Sequence, residues 1–214
     1  AYRGGQEQKA AGLFLLGNLF YGASIILIAQ IYHLGEHMPD GVFWWAAGCL
    51  PIGLLIRSPW VTLQSLALAF IWFFMEAEFG FYPSLFPIFL LGGGWVLARG
   101  KTSLLLFLAV VAGIGIWLEW SLAALWSGGR SFDLSVEHLF VGAAYMILAW
   151  AVSLRLDRMV SVAARDYAAL LAVWGLRFFL VTLAVLSFKE PWEKLLDARF
   201  DHVVSMIVAV AVLL

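Results

Sequence analysis

Eight long apolar runs divide the chain, and they constrain its fold more than any other feature. Charges, prolines or glycines separate each run from the next. The runs cover residues 11–32, 42–56, 60–75, 81–98, 103–126, 137–154, 167–188 and 203–214. They are continuous and lack the period-two alternation of barrel strands, so they predict membrane-spanning helices. We therefore expect an all-α, polytopic transmembrane helix bundle of about eight spans.

The composition agrees with a membrane protein. The 214 residues are 64% hydrophobic and 13% charged, whereas soluble domains average about 45–50% apolar and about 25% charged residues. Such a chain has too little polar surface for water and is expected to have the lipid bilayer as its main partner. The net charge of −1 and the lack of a basic cluster give no indication of nucleic-acid binding. A single cysteine, Cys49, rules out an intrachain disulfide.

We expect one transmembrane domain over residues 1–214, forming part of a longer protein. The chain begins at Ala1 rather than at a methionine, and its last apolar run ends without a polar flank. As a helix, that run covers about 18 Å, while a bilayer core is about 30 Å thick.

The charges of the loops alternate in sign along the chain. One side of the predicted bundle receives residues 1–10 and the loops near 57, 99–101 and 155–166, with a net charge of +5; the other side has −6. By the positive-inside rule, the basic side is cytoplasmic. The amino end is therefore expected in the cytoplasm, and the acidic side, which holds all four histidines, outside.

Arg177 lies in the middle of the seventh run, where a charge costs roughly 2.5–3.5 kcal/mol. It should therefore face a partner inside the bundle. Glu119 in the fifth run is the candidate, because Ala112, Gly115 and Ala123 form a small-residue face around it, typical of helix packing. The pair is either an ion pair that fixes the helix register or part of a site for a substrate or ion.

Two further polar residues lie in the first run, at Asn18 and Gln30. Interhelical hydrogen bonds account for both. As an alternative, they contribute to the same intramembrane polar site as Arg177 and Glu119.

Histidines and carboxylates also gather on the acidic side. His33, Glu36 and His37 follow the first run, and His138 begins the sixth. Such side chains bind Zn²⁺ or a similar ion, or titrate between about pH 5 and 8. Because Pro39 follows closely and no ligand spacing is diagnostic, a solvated loop and a docking site for a partner remain alternatives.

Two segments have a distinctive local pattern. The Gly92–Gly94 run is typical of close helix packing, or alternatively of a broken helix that lines a transporter site. Residues 189–202 have the apolar spacing of a short amphipathic helix in the headgroup plane, with a structural role or a role as a lid or docking element.

No enzyme signature is present. The sequence lacks a nucleotide-binding glycine loop, His-Glu-x-x-His, Gly-x-Ser-x-Gly and a cysteine pair. It names no cofactor and no catalytic residue, and a non-enzyme is favoured.

The first two runs contain sequence motifs that resemble those of a known family. Gly17, Gly22, Ile-Ala-Gln-Ile-Tyr-His at 28–33 and Leu-Pro-Ile-Gly-Leu-Leu-Ile-Arg-Ser at 50–58 carry the resemblance. Over about residues 10–75 the chain resembles domain of unknown function 2157, an uncharacterised family of bacterial multi-pass membrane proteins. The resemblance implies a bacterial inner membrane with the acidic side in the periplasm. The family has no established activity that the resemblance could transfer. The resemblance also implies a soluble segment and one more span before the matched region.

The leading hypothesis is transport or sensing of a small solute or ion through the polar site around Arg177 and Glu119, entered near His33, Glu36 and His37. The alternative is a structural or assembly subunit, in contact with another membrane protein or with a second copy. An intramembrane enzyme is the third hypothesis.

Overall fold

The structure is a computed structural model that describes residues 7–31, 38–127, 136–189, 192–193 and 202–214. These residues form α-helices without any strand. The helices are α1 (Glu7–Ile31), α2 (Met38–Ile56), α3 (Pro59–Glu78), α4 (Phe86–Arg99), α5 (Leu104–Ser127), α6 (Val136–Asp157), α7 (Val162–Leu186) and α8 (Val203–Leu213). A helix lies at each predicted run, which confirms the all-α prediction. The cytoplasmic position of the amino end stays a prediction.

Six of these helices are long and apolar enough to cross a membrane, while α4 and α8 are shorter apolar helices of 14 and 11 residues. The fourth predicted run begins at residue 81, but α4 begins only at Phe86. Pro83 precedes it in a non-helical stretch, and proline lacks the N–H that a helix interior needs. Fourteen residues cover about 21 Å, less than a bilayer core of about 30 Å.

The chain divides into two compact units, Ala1–Trp117 and Leu118–Leu214. In the first unit, α2 packs mainly on α3, α4 packs on both, and α1 also contacts both. Its core contains the fully buried side chains of Val61, Leu66, Phe73 and Phe86. The prediction of one transmembrane domain stays a prediction.

The turn between α2 and α3 is a Schellman motif, in which two backbone N–H groups close the end of α2. Arg57 N–H donates to Leu54 O at 3.2 Å, and Ser58 N–H donates to Gly53 O at 3.1 Å. Arg57 adopts the left-handed conformation, with φ of 50°. Glycine usually occupies this position, because the left-handed region costs other residues about 1–2 kcal/mol.

The other end of α3 uses the same motif with the usual residue. Gly80 N–H donates to Ala77 O at 3.1 Å, and Phe81 N–H donates to Glu76 O at 2.9 Å. Gly80 has φ of 80°. The two turns thus differ in the residue that takes the left-handed position.

Small residues bring the helices of the first unit together. A Cβ atom on Gly53 would lie 2.5 Å from Thr62 Oγ1, so α2 and α3 approach closely beside their turn. The Gly92–Gly94 run lies within an unbroken α4, where Gly92 faces Leu50 and Gly93 faces Val110. Gly92 and Gly93 are therefore packing positions, as the first interpretation of the run predicts.

In the second unit, α6 packs on α7 and α8 packs on α6. Small buried side chains on α6 and α7, at Ala144, Ala164 and Ala168, permit this approach. The amino ends of α6 and α8 lie near the carboxyl end of α5, where the contacts described below converge.

Candidate functional site

A carboxylate and an imidazole meet within the second unit. Glu119 lies eight residues before the end of α5, about 12 Å along the helix, and His138 is the third residue of α6. His138 Nδ1 lies 2.8 Å from Glu119 Oε2. The imidazole is nearly fully buried, and the side chain of Glu119 is 24% exposed. The pair therefore joins two predicted spans through a side-chain hydrogen bond.

The second oxygen of Glu119 has no hydrogen-bond donor within the part of the chain that the structure describes. Glu119 Oε1 is buried and without a partner among the described residues. A Cβ atom on Gly142 would lie 3.4 Å from this oxygen, so the glycine of α6 leaves the space that the carboxylate occupies. A buried polar oxygen normally has a partner, and an orphaned one calls for an explanation. It is able to accept a hydrogen bond, a proton or a cation.

Aromatic rings pack on His138 on the side of the helix ends. The ring of Trp126 lies 4.6 Å from that of His138 and stacks on His202 at 5.5 Å with an interplanar angle of 2°. Trp126 Nε1 donates to Ser205 Oγ at 2.7 Å, and Ser205 Oγ donates to His202 O at 2.9 Å. The start of α8 is thereby fixed against the end of α5.

Glu137 fixes α8 to α6 in the same way. Its side chain is 1% exposed, and Oε1 accepts a hydrogen bond from the backbone N–H of His202 at 3.3 Å. His202 immediately precedes α8, where backbone N–H groups lack partners within the helix. We call Glu119, Trp126, Glu137, His138, His202 and Ser205 the carboxylate–imidazole cluster.

The structure does not bring Arg177 and Glu119 together. Within the part of the chain that the structure describes, Glu119 is paired with His138, whereas the guanidinium of Arg177 lies 5.2 Å from the ring centre of Trp174. Arg177 lies on an exposed face of α7. A functional role for it stays a prediction.

Asn18 belongs to the first unit, where it joins three helices. Its Nδ2 donates to Gln64 Oε1 at 3.0 Å, and its carbonyl oxygen accepts a hydrogen bond from Trp45 Nε1 at 2.8 Å. Gln64 Nε2 donates in turn to Leu15 O at 3.4 Å. Asn18 therefore acts as an interhelical hydrogen-bonding residue, one of its two predicted roles. The side chain of Gln30 lies outside the described part.

Most of the predicted metal site also lies outside the described residues, since His33, Glu36 and His37 fall between α1 and α2. His138 is described, and its Nδ1 contacts Glu119. Among the described residues, no three histidine, cysteine, aspartate or glutamate side chains form a group suited to a metal ion. The metal site stays a prediction, as does the amphipathic helix at 189–202, of which only residues 189, 192, 193 and 202 are described.

Sequence reasoning missed the cluster although it identified several members. It paired Glu119 with Arg177 and assigned His138 to the metal site. The missing signal is the short connection between the fifth and sixth runs, since residues late in one run and early in the next are close in sequence. Glu137, Trp126 and His202 lie at the ends of their runs on the same predicted side and complete the set.

Comparison with known proteins adds little to these contacts. The family model described as "Predicted membrane protein (DUF2157)" matches residues 1–62, which confirms the resemblance of the first two runs. The match covers α1, α2 and the start of α3 and ends well before Glu119, so it assigns no role to the cluster. No curated protein matches the chain, and no solved structure does.

Proposed function

We propose that this protein transports protons across the membrane, with Glu119 and His138 as its intramembrane exchange site. The observation that carries the proposal is Oε1 of Glu119. It is a buried carboxylate oxygen without a donor among the residues that the structure describes, and it lies in a helix long enough to span the bilayer. Ionisable residues inside membrane spans are costly and commonly mark proton or ion pathways.

The pair has the chemistry of a relay. A proton that adds to Nε2 of neutral His138 makes the imidazole cationic. The proton on Nδ1 then passes to Oε2 of Glu119, 2.8 Å away, which leaves a neutral imidazole and a carboxylic acid. One proton has moved from the first turn of α6 to a position farther from the helix ends. Gly142 leaves room for the carboxyl group in either protonation state.

The membrane and its orientation are part of the proposal. Loop charges and the family resemblance favour a bacterial inner membrane with the cluster on the periplasmic side. In that arrangement His202 and Trp126 lie at the outer mouth of the pathway. Protons then enter from the periplasm at this mouth.

The test is proton flux into proteoliposomes that contain the full-length protein and an enclosed pH-sensitive dye. A potassium diffusion potential, negative inside, drives protons inward. Glu119→Gln keeps the size of the side chain and removes its exchangeable proton, so we expect at least a tenfold slower flux. Glu78→Gln alters an exposed carboxylate at the end of α3 and is the matched control. Equal flux with wild type and Glu119→Gln, or no flux above that of empty vesicles, contradicts the proposal.

A structural or assembly subunit is the second candidate, and Arg177 favours it. This arginine lies on an exposed face of α7, within a candidate span, and its guanidinium lies over the ring of Trp174. A carboxylate on a neighbouring membrane protein or on a second copy would neutralise it. Native mass spectrometry of gently extracted protein tests this candidate: a partner in fixed ratio that is lost with Arg177→Gln supports it, and a bare monomer contradicts it.

A further inference from the structure

We propose that the α2–α3 and α4–α5 turns of the first unit bind the phosphate headgroup of an anionic phospholipid, with Arg57 as the central ligand. This site is independent of the proton pathway. It consists of three exposed cationic residues, Arg57, Arg99 and Lys101, and of two tryptophans, Trp60 and Trp95. We call it the basic turn cluster.

The backbone of Arg57 is the first argument. Arg57 occupies the left-handed position of a Schellman motif, and Gly80 occupies the same position at the other end of α3. Glycine satisfies this turn without steric strain, as Gly80 demonstrates in the same unit. A strained residue that the turn itself does not require is a candidate for a functional role. What arginine adds at position 57 is its guanidinium.

The second argument is that two turns distant in sequence lie against each other. Gly100 N–H donates to Val96 O at 2.6 Å, which closes the end of α4. A Cβ atom on Gly100 would lie 3.0 Å from Arg57 O, so the α4–α5 turn rests on the backbone of Arg57. Arg99 and Lys101 flank this contact. The carboxylates of α2 and α3, namely Asp40, Glu76 and Glu78, lie at the opposite ends of those helices.

The third argument concerns the aromatic side chains. The guanidinium of Arg57 lies 5.9 Å from the ring centre of Trp95. Trp95 and Trp60 are 40% and 58% exposed. Tryptophans at helix ends lie at the level of the lipid headgroups, and a guanidinium fork matches the oxygens of a phosphate. The contact with Trp95 places this fork beside a side chain that is typical of headgroup depth.

A stripe on α4 distinguishes a phospholipid from free phosphate. Ile88, Leu91 and Trp95 recur at spacings of three and four residues, which places them on one face of the helix. All three are exposed, Leu91 by 74%. An acyl chain that lies along this stripe has its phosphate at the level of Trp95 and Arg57. We therefore commit to a phospholipid with a net negative headgroup, such as phosphatidylglycerol.

The experiment measures binding of phosphatidylglycerol to the full-length protein by native mass spectrometry and by thermal unfolding in phosphatidylcholine nanodiscs, with phosphatidylglycerol added or not. Arg57→Gly relieves the strained backbone and removes the charge. We expect it to unfold at the same or a higher temperature in phosphatidylcholine and to bind phosphatidylglycerol about fivefold more weakly, equivalent to about 1 kcal/mol. Arg155→Gln, at an exposed arginine of α6, is the matched control and should bind like wild type.

Each other outcome overturns the proposal. Equal binding of phosphatidylglycerol by wild type and Arg57→Gly removes Arg57 as the ligand. Equal losses in Arg57→Gly and Arg155→Gln indicate general surface charge. Stabilisation by inorganic phosphate alone, to the same degree, replaces the lipid with a free anion. Earlier unfolding of Arg57→Gly in phosphatidylcholine shows that the arginine is needed for the fold itself.

Discussion

His138 Nδ1 and Glu119 Oε2 lie 2.8 Å apart, and this contact joins the first turn of α6 to a position well inside α5. The two residues are 19 positions apart in sequence and belong to consecutive helices. Their bond satisfies one carboxylate oxygen and leaves Oε1 without a donor among the described residues. The pair therefore combines a structural link with an acceptor that has room for a proton.

Removal of His138 alone should destabilise the protein more than removal of His138 and Glu119 together. His138→Leu leaves a buried carboxylate without its imidazole, and we expect the free energy of unfolding to fall by about 1–3 kcal/mol. In the double variant with Glu119→Leu no charge is left unpaired, so we expect most of this loss to be recovered. Unfolding by sodium dodecyl sulfate in mixed micelles measures both values. A loss in the double variant equal to the sum of the losses in His138→Leu and in Glu119→Leu contradicts a direct interaction.

Glu137 should determine whether α8 remains attached to α6. The Oε1 atom of Glu137 accepts the backbone N–H of His202, so Glu137→Ala leaves a helix end without its acceptor. We expect faster hydrogen exchange in α8 and a loss of about 1–3 kcal/mol. Glu137→Gln retains an acceptor oxygen and is the control, with exchange close to wild type. Unchanged exchange in Glu137→Ala indicates that other contacts hold α8.

Close helix approach at Gly53 gives a sharp prediction about packing. An alanine there places its Cβ atom 2.5 Å from Thr62 Oγ1 and 3.0 Å from Thr62 N, and the backbone atom cannot move aside by rotation of a side chain. We expect Gly53→Ala to lower the free energy of unfolding by about 1–3 kcal/mol. Gly94→Ala in α4 meets no atom within 4 Å and should be neutral or stabilising by up to about 1 kcal/mol. Equal changes in the free energy of unfolding for the two substitutions would falsify the close approach of α2 and α3 at Gly53.

The sequence predicted the helices well because apolar length is a local property. A helix lies at each of the eight runs. Pro83 delays the start of α4, and α2 and α3 extend beyond the predicted runs. Gly92 and Gly93 pack against Leu50 and Val110. The sequence indicates close packing at these glycines but does not name the residues that they contact. Local patterns thus defined the elements, while their contacts came from the structure.

The candidate site was harder to predict because it depends on pairing between helices. Depth in the membrane suggested Arg177 as the partner of Glu119. However, depth does not determine which faces of two helices contact each other. The contact of His138 with Glu119 depends on the rotation of α6 relative to α5 about their axes. A single sequence does not encode that rotation in any local pattern.

The last prediction concerns two buried hydroxyl groups on α3, whose removal should change the free energy of unfolding differently. Ser65 Oγ donates to Ala46 O at 2.8 Å across the α2–α3 interface, so Ser65→Ala removes an interhelical hydrogen bond and should cost about 0.6 kcal/mol. Thr62 Oγ1 is fully buried and has no partner among the described residues. Thr62→Val replaces this oxygen with a methyl group of similar size, so we expect equal or higher stability because no hydrogen bond is lost and an unsatisfied group is removed. Unfolding of both variants in mixed micelles measures the difference. A loss in Thr62→Val as large as that in Ser65→Ala means that the threonine hydroxyl has a partner in the folded protein.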